Sequence, residues 1–472
     1  VDPAHPAHAH AVDGRHDHQQ DRTQQHGVGG TAGAGQRGVV ADDLETGGYK
    51  IVTTLDRNAN NAAMQAANST VPATDPSGFE VMIAAVKPGT GEILSFGINR
   101  TYDATDDART DETKTSMNYM VDQEDGGGMG FNVGSTWKPI NMVAWMQKGH
   151  SINESLVTST VYDTSKFNCN GYGFVGSWRV QNSGGGTTSP ESPLQGLIKS
   201  HNTTQASMAS NIGLCAIADA AKEMGYHNAI SNASDIYSAN SFQPPMTIGT
   251  VQASPLTMAN VYATMGANGV ECTPIAITKV TDRSGSKVKV PSANCHQAID
   301  PDIAQTVSYA LNQGVVQPGG EASTTQLDNN RKTFAKTGTN ENTVMATAGF
   351  VPNQVAAFVA VADAQDPINN TFDNKTINGV YRPSWYGMYI ATPAWKQFMN
   401  TYLAAINAPI DNDYGKGADK YTVSKGATRT YNQYQYQRQQ NSQQQSQQQT
   451  NQGQQQQSQQ QPAEQQSDQQ HQ

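Results

Sequence analysis

Apolar and polar positions along this chain follow two periods, and the change from one to the other marks its elements. Tyr49-Lys50-Ile51-Val52-Thr53-Thr54-Leu55-Asp56 alternates as a strand does, and Asp56 is placed to cap a helix running through Ala62, Ala63 and Ala66. Phe79–Val86 and Ile93–Ile98 read as paired strands joined by the hairpin loop Lys87-Pro88-Gly89-Thr90-Gly91. Ile140, Val143 and Ala144 repeat at helical spacing behind Pro139, and Gly149 closes that helix. Leu194, Leu197 and Ile198 lead to Lys199-Ser200-His201-Asn202, and one helix is predicted from about Gln205 to Met224, ended by Gly225. Met258, Val261, Tyr262 and Met265 mark another helix, ended by Asn268-Gly269. Residues 275–290 read as a two-stranded hairpin and residues from about 301 to 313 as a helix. Phe334–Thr339, Ala346–Val351 and Val355–Asp363 read as three successive strands, and Trp395–Met399 belongs to a last helix.

Both ends of the chain fall outside this pattern. Residues 1–45 are rich in His, Gly, Ala, Gln and Asp, and His5, His8, His10, His16, His18 and His26 crowd into them. A metal-holding arm is the chemical use of such a stretch, but its composition favours a disordered or foreign segment. Order is expected over 46–408. Residues 409–472, glutamine-dominated from Tyr431 onward, cannot bury enough apolar surface to offset the entropy of ordering and read as a disordered tail. These ends account for much of the low hydrophobic content of 36% over 472 residues. The formal net charge of −10 gives no sign of a nucleic-acid partner. No run of 18 apolar residues occurs, so no transmembrane helix is expected within these residues.

Two further stretches lack periodicity. Asp103–Gly130 turns acidic and then glycine-rich, matches no EF-hand spacing, and reads as a flexible loop. Asn168–Pro193 is rich in Gly, Ser and Asn. The four cysteines, Cys169, Cys215, Cys272 and Cys295, form no C-x-x-C pair, which argues against a zinc or thioredoxin-type site. Cys272 and Cys295 bracket the 275–290 hairpin; pairing in an oxidising compartment and two free thiols both fit that spacing. No metal or cofactor is implied.

The candidate chemistry begins at Gly134-Ser135-Thr136-Trp137-Lys138-Pro139. Pro139 belongs in the first turn of a helix, where its missing N–H has no intrahelical role. Residues three apart share a helix face, so Ser135 and Lys138 can meet at the positive end of the helix dipole. A serine hydroxyl becomes a nucleophile when a base takes its proton, and lysine is a base only when neutral. That requires lowering its pKa of about 10.4 by roughly 3 units, or about 4 kcal/mol, through burial and a second cation nearby. S-x-x-K also occurs at Ser284–Lys287 and Ser286–Lys289, within an apparent hairpin turn, so the pattern alone decides nothing.

Two further motifs follow in order: Ser200-x-Asn202 and Lys336-Thr337-Gly338. The first is weak, matching Ser116–Asn118, Ser151–Asn153, Ser238–Asn240 and Ser292–Asn294 as well. The second occurs once. Each falls in the context its chemistry needs: a helix start, an inter-helix loop, and a strand followed by a β-hairpin. This set is the signature of penicillin-binding proteins and serine β-lactamases. From about residue 48 to 405 the chain resembles the transpeptidase domain of a class A, high-molecular-mass penicillin-binding protein. Tyr49–Asp56, Val86–Ile93, Gly249–Gly269 and Thr339 (which completes a KTGT form) add to the resemblance.

The resemblance implies an α+β, penicillin-binding protein/serine β-lactamase-like fold, with an antiparallel sheet flanked by helices and an all-helical lobe. It implies a D,D-transpeptidase in which Ser135 attacks the penultimate D-alanine carbonyl of a peptidoglycan stem peptide and an amine of a neighbouring stem takes the acyl group. Lys138 would be the base and Ser200 a proton relay. Lys336 would help keep Lys138 neutral, and Asn202 would bind the substrate's peptide. Thr337 and Thr339, beside Lys336, would hold the terminal carboxylate. The N–H groups of Ser135 and Thr339 would form the oxyanion hole, and Gly338 would leave room for a peptide along the strand edge. β-Lactams would be covalent inhibitors.

The family also carries a membrane anchor and a glycosyltransferase domain ahead of this region; residues 1–45 stand in their place, so neither is assigned to this chain. An extracytoplasmic location in the cell envelope follows from the resemblance alone. His201 stands where many β-lactamases have aspartate, which argues against that branch. The alternatives are a D,D-carboxypeptidase or β-lactamase, in which water takes the acyl group, and a non-catalytic wall-associated scaffold.

Overall fold

The computed structural model describes residues 46–423 apart from 106, 107, 109, 239 and 240. The expectations for residues 1–45 and for the glutamine tract lie outside the described residues. By internal contacts the described chain divides into a small unit, residues 46–52 and 279–289, and a large unit holding the rest. In the small unit, strands drawn from Lys50–Thr53, Ile277–Thr281 and Lys287–Val288 lie side by side. The predicted hairpin is therefore present, with a third strand added. Ser284 and Ser286 belong to its turn, where Ser284 Oγ and the Ser286 N–H both donate to Asp282 Oδ1, at 2.6 and 2.9 Å.

The large unit is built on a five-stranded sheet. Its elements in chain order are α1 (Arg57–Thr70), β1 (Glu80–Val86), β2 (Ile93–Ile98), α2 (Lys138–Gln147), α3 (Pro193–Ile198), α4 (Asn202–Ile212), α5 (Leu214–Glu223), α6 (Pro255–Gly266), α7 (Pro301–Val316), β3 (Phe334–Asn340), β4 (Val344–Val351), β5 (Val355–Ala362) and α8 (Ala391–Ala405). The strand order is β3-β4-β5-β1-β2, antiparallel throughout, and β3 is an edge. Asp56 caps α1 as expected, accepting from the Asn58 and Ala59 N–H groups at 2.7 and 3.0 Å.

Helices cover both faces of this sheet, which is why its central strands read as almost unbroken apolar runs. The period of two divides each strand between two cores. From β5, Ala356, Phe358, Ala360 and Ala362 join the core beneath the helical lobe with Trp137, Val143, Met258 and Tyr262. Val355, Ala357, Val359 and Val361 face the other way, against the alanine stripe of α1 and Trp395 and Phe398 of α8. Gly97 of β2 admits α1 so closely that a Cβ there would stand 2.5 Å from that of Ala63.

Two expectations need correction. The single helix predicted over 205–224 is two, broken at Gly213, whose φ of 79° and ψ of 151° no helix accommodates. Beside the break, Cys169 and Cys215 form a disulfide, a pairing that cysteine spacing gave no means to anticipate. Cys272 pairs with Cys295, the first of the two alternatives for that couple. Order also runs past 408 to Val423: Tyr414 is buried against Phe334 and Phe350, and its hydroxyl donates to the Met265 carbonyl at 2.5 Å. One tyrosine in a polar, glycine-containing stretch carries no periodicity, so its anchoring is invisible in the sequence. Among the described residues, no helix is long and apolar enough to cross a membrane.

Candidate active site

Ser135 lies in a 3-10 turn, Gly134–Trp137, that runs directly into α2. The α-helix proper begins at Lys138, with Pro139 in its first turn. Sequence spacing located this start to within one turn, but placed the serine in the helix rather than just before it. Several bonds hold the turn. Gly134 takes a left-handed φ of 54° and donates its N–H to the Gly249 carbonyl at 2.9 Å. The Thr136 hydroxyl donates to the Val133 carbonyl at 2.6 Å, and the Tyr262 hydroxyl donates to the Thr136 carbonyl at 2.8 Å. Trp137 Nε1 donates to Asn141 Oδ1, and the Asn141 amide in turn reaches Gln205 Oε1 and the Thr247 carbonyl. Buried polar groups satisfied in this way rigidify their surroundings.

Lys138 is fully buried, and its amine makes three contacts: the Ser200 carbonyl at 2.6 Å, Ser200 Oγ at 3.2 Å and Asn202 Oδ1 at 2.7 Å. Burial holds its pKa well below the usual lysine value, the Lys336 charge pushes the same way, and Glu321 opposes both. The first two motifs therefore meet at one nitrogen. No hydrogen bond joins Ser135 to Lys138 among the described residues; the amine is turned toward the loop between α3 and α4.

That loop is built around Ser200. The Ser200 N–H donates to the Leu197 carbonyl and the His201 N–H to the Gly196 carbonyl, at 3.1 and 2.8 Å. This is the paired closure that ends many helices, and it normally places glycine at the left-handed residue. Here Ser200 occupies it, at φ 56°. Asn202 is fixed from its other end, donating Nδ2 to the Gln181 carbonyl at 2.8 Å. His201 turns to Glu191, with Nδ1 2.8 Å from Oε1, and Glu191 also accepts from the Thr204 hydroxyl.

The third motif lies on β3, at the sheet edge. Lys336 is buried and its pKa is lowered to about 8 by desolvation, with Glu321 opposing. Its amine donates to the Thr337 carbonyl at 2.9 Å. Gly338 has a reason to be glycine beyond the one the sequence suggested. A Cβ there would stand 3.0 Å from Thr136 Cγ2 and 3.1 Å from the Val133 carbonyl, so its absence lets the Ser135 turn sit directly against the strand. On its other side, Gly387 approaches so closely that a Cβ would come within 2.3 Å of the Gly338 carbonyl. The Gly387 N–H donates to Thr339 Oγ1 at 3.1 Å, which leaves the hydroxyl proton of Thr339 free for a ligand.

Ser135, Ser200, Asn202, Thr337, Gly338 and Thr339 all line one open cleft of about 420 Å³. Lys138 and Lys336 lie behind this lining. All eight residues singled out from the sequence thus fall in one place. Three further groups line the same cleft and were missed: Gln181–Ser183, Tyr386–Tyr389 and Glu321. The aromatic density of Trp385, Tyr386 and Tyr389 was a readable signal, and Arg382 lies 4.2 Å from the Tyr389 ring centre. Gln181–Ser183 and Glu321 carried none, since neutral residues in a polar loop and one glutamate after a glycine pair are common.

The family described as penicillin binding protein transpeptidase domain matches residues 81–392. The chain belongs to that family. Within this transpeptidase family, penicillin-binding protein 1A of Mycolicibacterium smegmatis is 25% identical over 376 residues, 76% of this chain and 42% of its own length. Penicillin-binding protein 2D of Bacillus subtilis is 25% identical over 399 residues, 84% of this chain and 49% of its own. The chain thus spans less than half the length of these two penicillin-binding proteins. The solved structure of the penicillin-binding protein PonA1 from Mycobacterium tuberculosis superposes with a TM-score of 0.62 at 18% identity, covering 79% of this chain and 90% of that one. That likeness is one of fold, the α+β arrangement that the family resemblance implied. PonA1 has also been solved in complex with penicillin V, with a TM-score of 0.60 to this chain.

Proposed function

We propose that this domain is a peptidoglycan D,D-transpeptidase acting through a Ser135 acyl-enzyme. The observation that carries the reading is the Lys138 amine, fully buried beneath the Ser135 turn and bonded to Ser200 and Asn202. A neutral lysine has two N–H donors and one lone pair. Its two short contacts, to the Ser200 carbonyl and Asn202 Oδ1, use the donors. The lone pair is then left for a hydroxyl proton, and Ser200 Oγ is the hydroxyl within reach. A proton leaving Ser135 passes to this Lys138–Ser200 couple, and the same couple returns it to the departing D-alanine.

The substrate's terminal carboxylate lies along β3, where Thr337, Thr339 and the Lys336 charge receive it. Asn202 meets the stem peptide's backbone. The Ser135 and Thr339 N–H groups polarise the attacked carbonyl, each such donor being worth roughly 3–4 kcal/mol. Penicillin acylates the same serine because its strained amide presents the same carbonyl and carboxylate. The glycan-linked substrate implies an extracytoplasmic location.

The test supplies a D-Ala-D-Ala-terminated donor peptide with an amine acceptor and follows products by mass. Release of D-alanine with a new amide to the acceptor supports the transpeptidase. Release of D-alanine with the free acid alone identifies a carboxypeptidase. No release from folded protein rejects the enzyme reading.

A further inference from the structure

Among the residues lining the cleft, Glu321 alone carries a formal charge. Its position is well determined. The Glu321 N–H donates to the Ile198 carbonyl at 3.0 Å, and the Ala322 N–H to the Gly314 carbonyl at 3.2 Å. Lys199 clamps the preceding turn, donating to the Pro318 and Gly319 carbonyls at 3.1 Å each. The loop is thereby tied to the segment that ends in Ser200. The carboxylate itself makes no hydrogen bond or ion pair with any other described residue. Lys138 and Lys336 feel its charge, yet each spends its amine elsewhere, on Ser200 and Asn202 and on the Thr337 carbonyl.

A lone, partly buried anion in a cleft that must receive a carboxylate works against the donor substrate. It favours a reactant of opposite charge. Acyl transfer to an amine has one such reactant, the acceptor, which arrives largely as an ammonium ion because aliphatic amines hold their proton to about pH 10. We propose that Glu321 receives the ammonium group of the acyl acceptor; this rests on the transpeptidase reading above.

The step balances as follows. The ammonium, paired with Glu321, gives one proton to solvent. The free amine attacks the Ser135 ester carbonyl, the C–N bond forms and the C–Oγ bond breaks. The amine's second proton passes through Ser200 and Lys138 to Ser135 Oγ. Glu321 binds and orients the acceptor; it neither gains nor loses a proton overall.

The experiment acylates the enzyme with a D-alanyl thioester donor and offers two acceptors at pH 7: Nα-acetyl-lysine amide, a cation, and hydroxylamine, which is neutral there. In Glu321→Gln, the half-saturating concentration of Nα-acetyl-lysine amide rises tenfold or more, hydroxylamine use falls no more than about twofold, and Glu321→Asp recovers part of the difference. Acylation itself shifts its acid limb to lower pH, because an anion near Lys138 and Lys336 is gone. An equal loss with both acceptors overturns the inference and leaves Glu321 as a group acting only on the lysines. A wild-type enzyme that acylates but transfers to neither acceptor overturns the transpeptidase reading, and this inference with it.

Discussion

Ser200 reaches the Lys138 amine, 2.6 Å from its carbonyl oxygen and 3.2 Å from its hydroxyl, only by holding a left-handed backbone with φ 56°. The helix end it forms is the one that glycine makes without strain. A non-glycine residue there costs on the order of 1 kcal/mol. The position therefore trades stability for a hydroxyl, a recognised mark of functional sites.

That trade is measurable. Ser200→Gly is expected to raise the urea midpoint by an amount equal to about 1 kcal/mol, while slowing penicillin acylation tenfold or more. Ser200→Ala is expected to slow acylation likewise without the gain in stability. A Ser200→Gly protein no more stable than wild type removes the strain argument.

In the proposed mechanism the two buried lysines set the pH dependence of acylation. Lys138 must be neutral to act, and burial together with the Lys336 charge lowers its pKa, so the rate rises with pH below the ordinary lysine range. Lys336 must be charged to attract a carboxylate, and its pKa of about 8 sets the fall at higher pH. A bell-shaped profile follows. Removing the Lys336 charge makes Lys138 easier to protonate, so Lys336→Met is expected to move the acid limb to higher pH. Rate measurements from pH 5 to 10 decide this, and an acid limb that moves down in the variant contradicts it.

Lys336 also leaves a mark on stability. In the unfolded chain it keeps its proton to the ordinary value of 10.5, whereas in the fold it loses it near 8. Between those values the unfolded state binds more protons, so stability rises with pH across that window and is flat with respect to this group below it. The shift corresponds to roughly 3 kcal/mol. Denaturant titrations at pH 8 and 10 are expected to show a steeper rise in wild type than in Lys336→Met, where the lowered pKa of Lys138 still contributes a rise of its own. Equal slopes in the two proteins refute it.

Gly338 and the Ser135 turn are in direct contact, so one methyl group tests their coupling. Gly338→Ala places a Cβ 3.0 Å from Thr136 Cγ2, 3.1 Å from the Val133 carbonyl and 3.3 Å from Ala346 Cβ. Overpacking of this kind costs roughly 1–3 kcal/mol. The fold is expected to survive, with acylation slowed more than tenfold as the turn is displaced from β3. A variant that unfolds at 25 °C, or one that acylates normally, shows that the contact is not what positions the serine.

Much of this molecule was legible because its elements are strongly periodic. The five strands follow from apolar runs bounded by turn residues, and the helices behind Asp56 and Pro139 from capping and proline placement. The three motifs were legible as a set because each carries a different side-chain chemistry on a different element. What stayed hidden depends on tertiary geometry. The break at Gly213 looks like any glycine inside a helical pattern, and the partner of Cys169 lies 46 residues away. Ser200 occupies a position for which glycine is the usual signal. Glu321 and Gln181–Ser183 reach the cleft through loops whose residues have no period to read, and Tyr414 anchors a stretch whose composition matches a tail.

The most direct test of the central claim is acylation by a fluorescent penicillin, read by intact mass and peptide mapping. A long-lived adduct is expected on the peptide containing Ser135, absent in Ser135→Ala, and slowed by about two to four orders of magnitude in Lys138→Met, the usual worth of a positioned base. An adduct elsewhere, a Lys138→Met enzyme as fast as wild type, or no adduct on folded protein contradicts it.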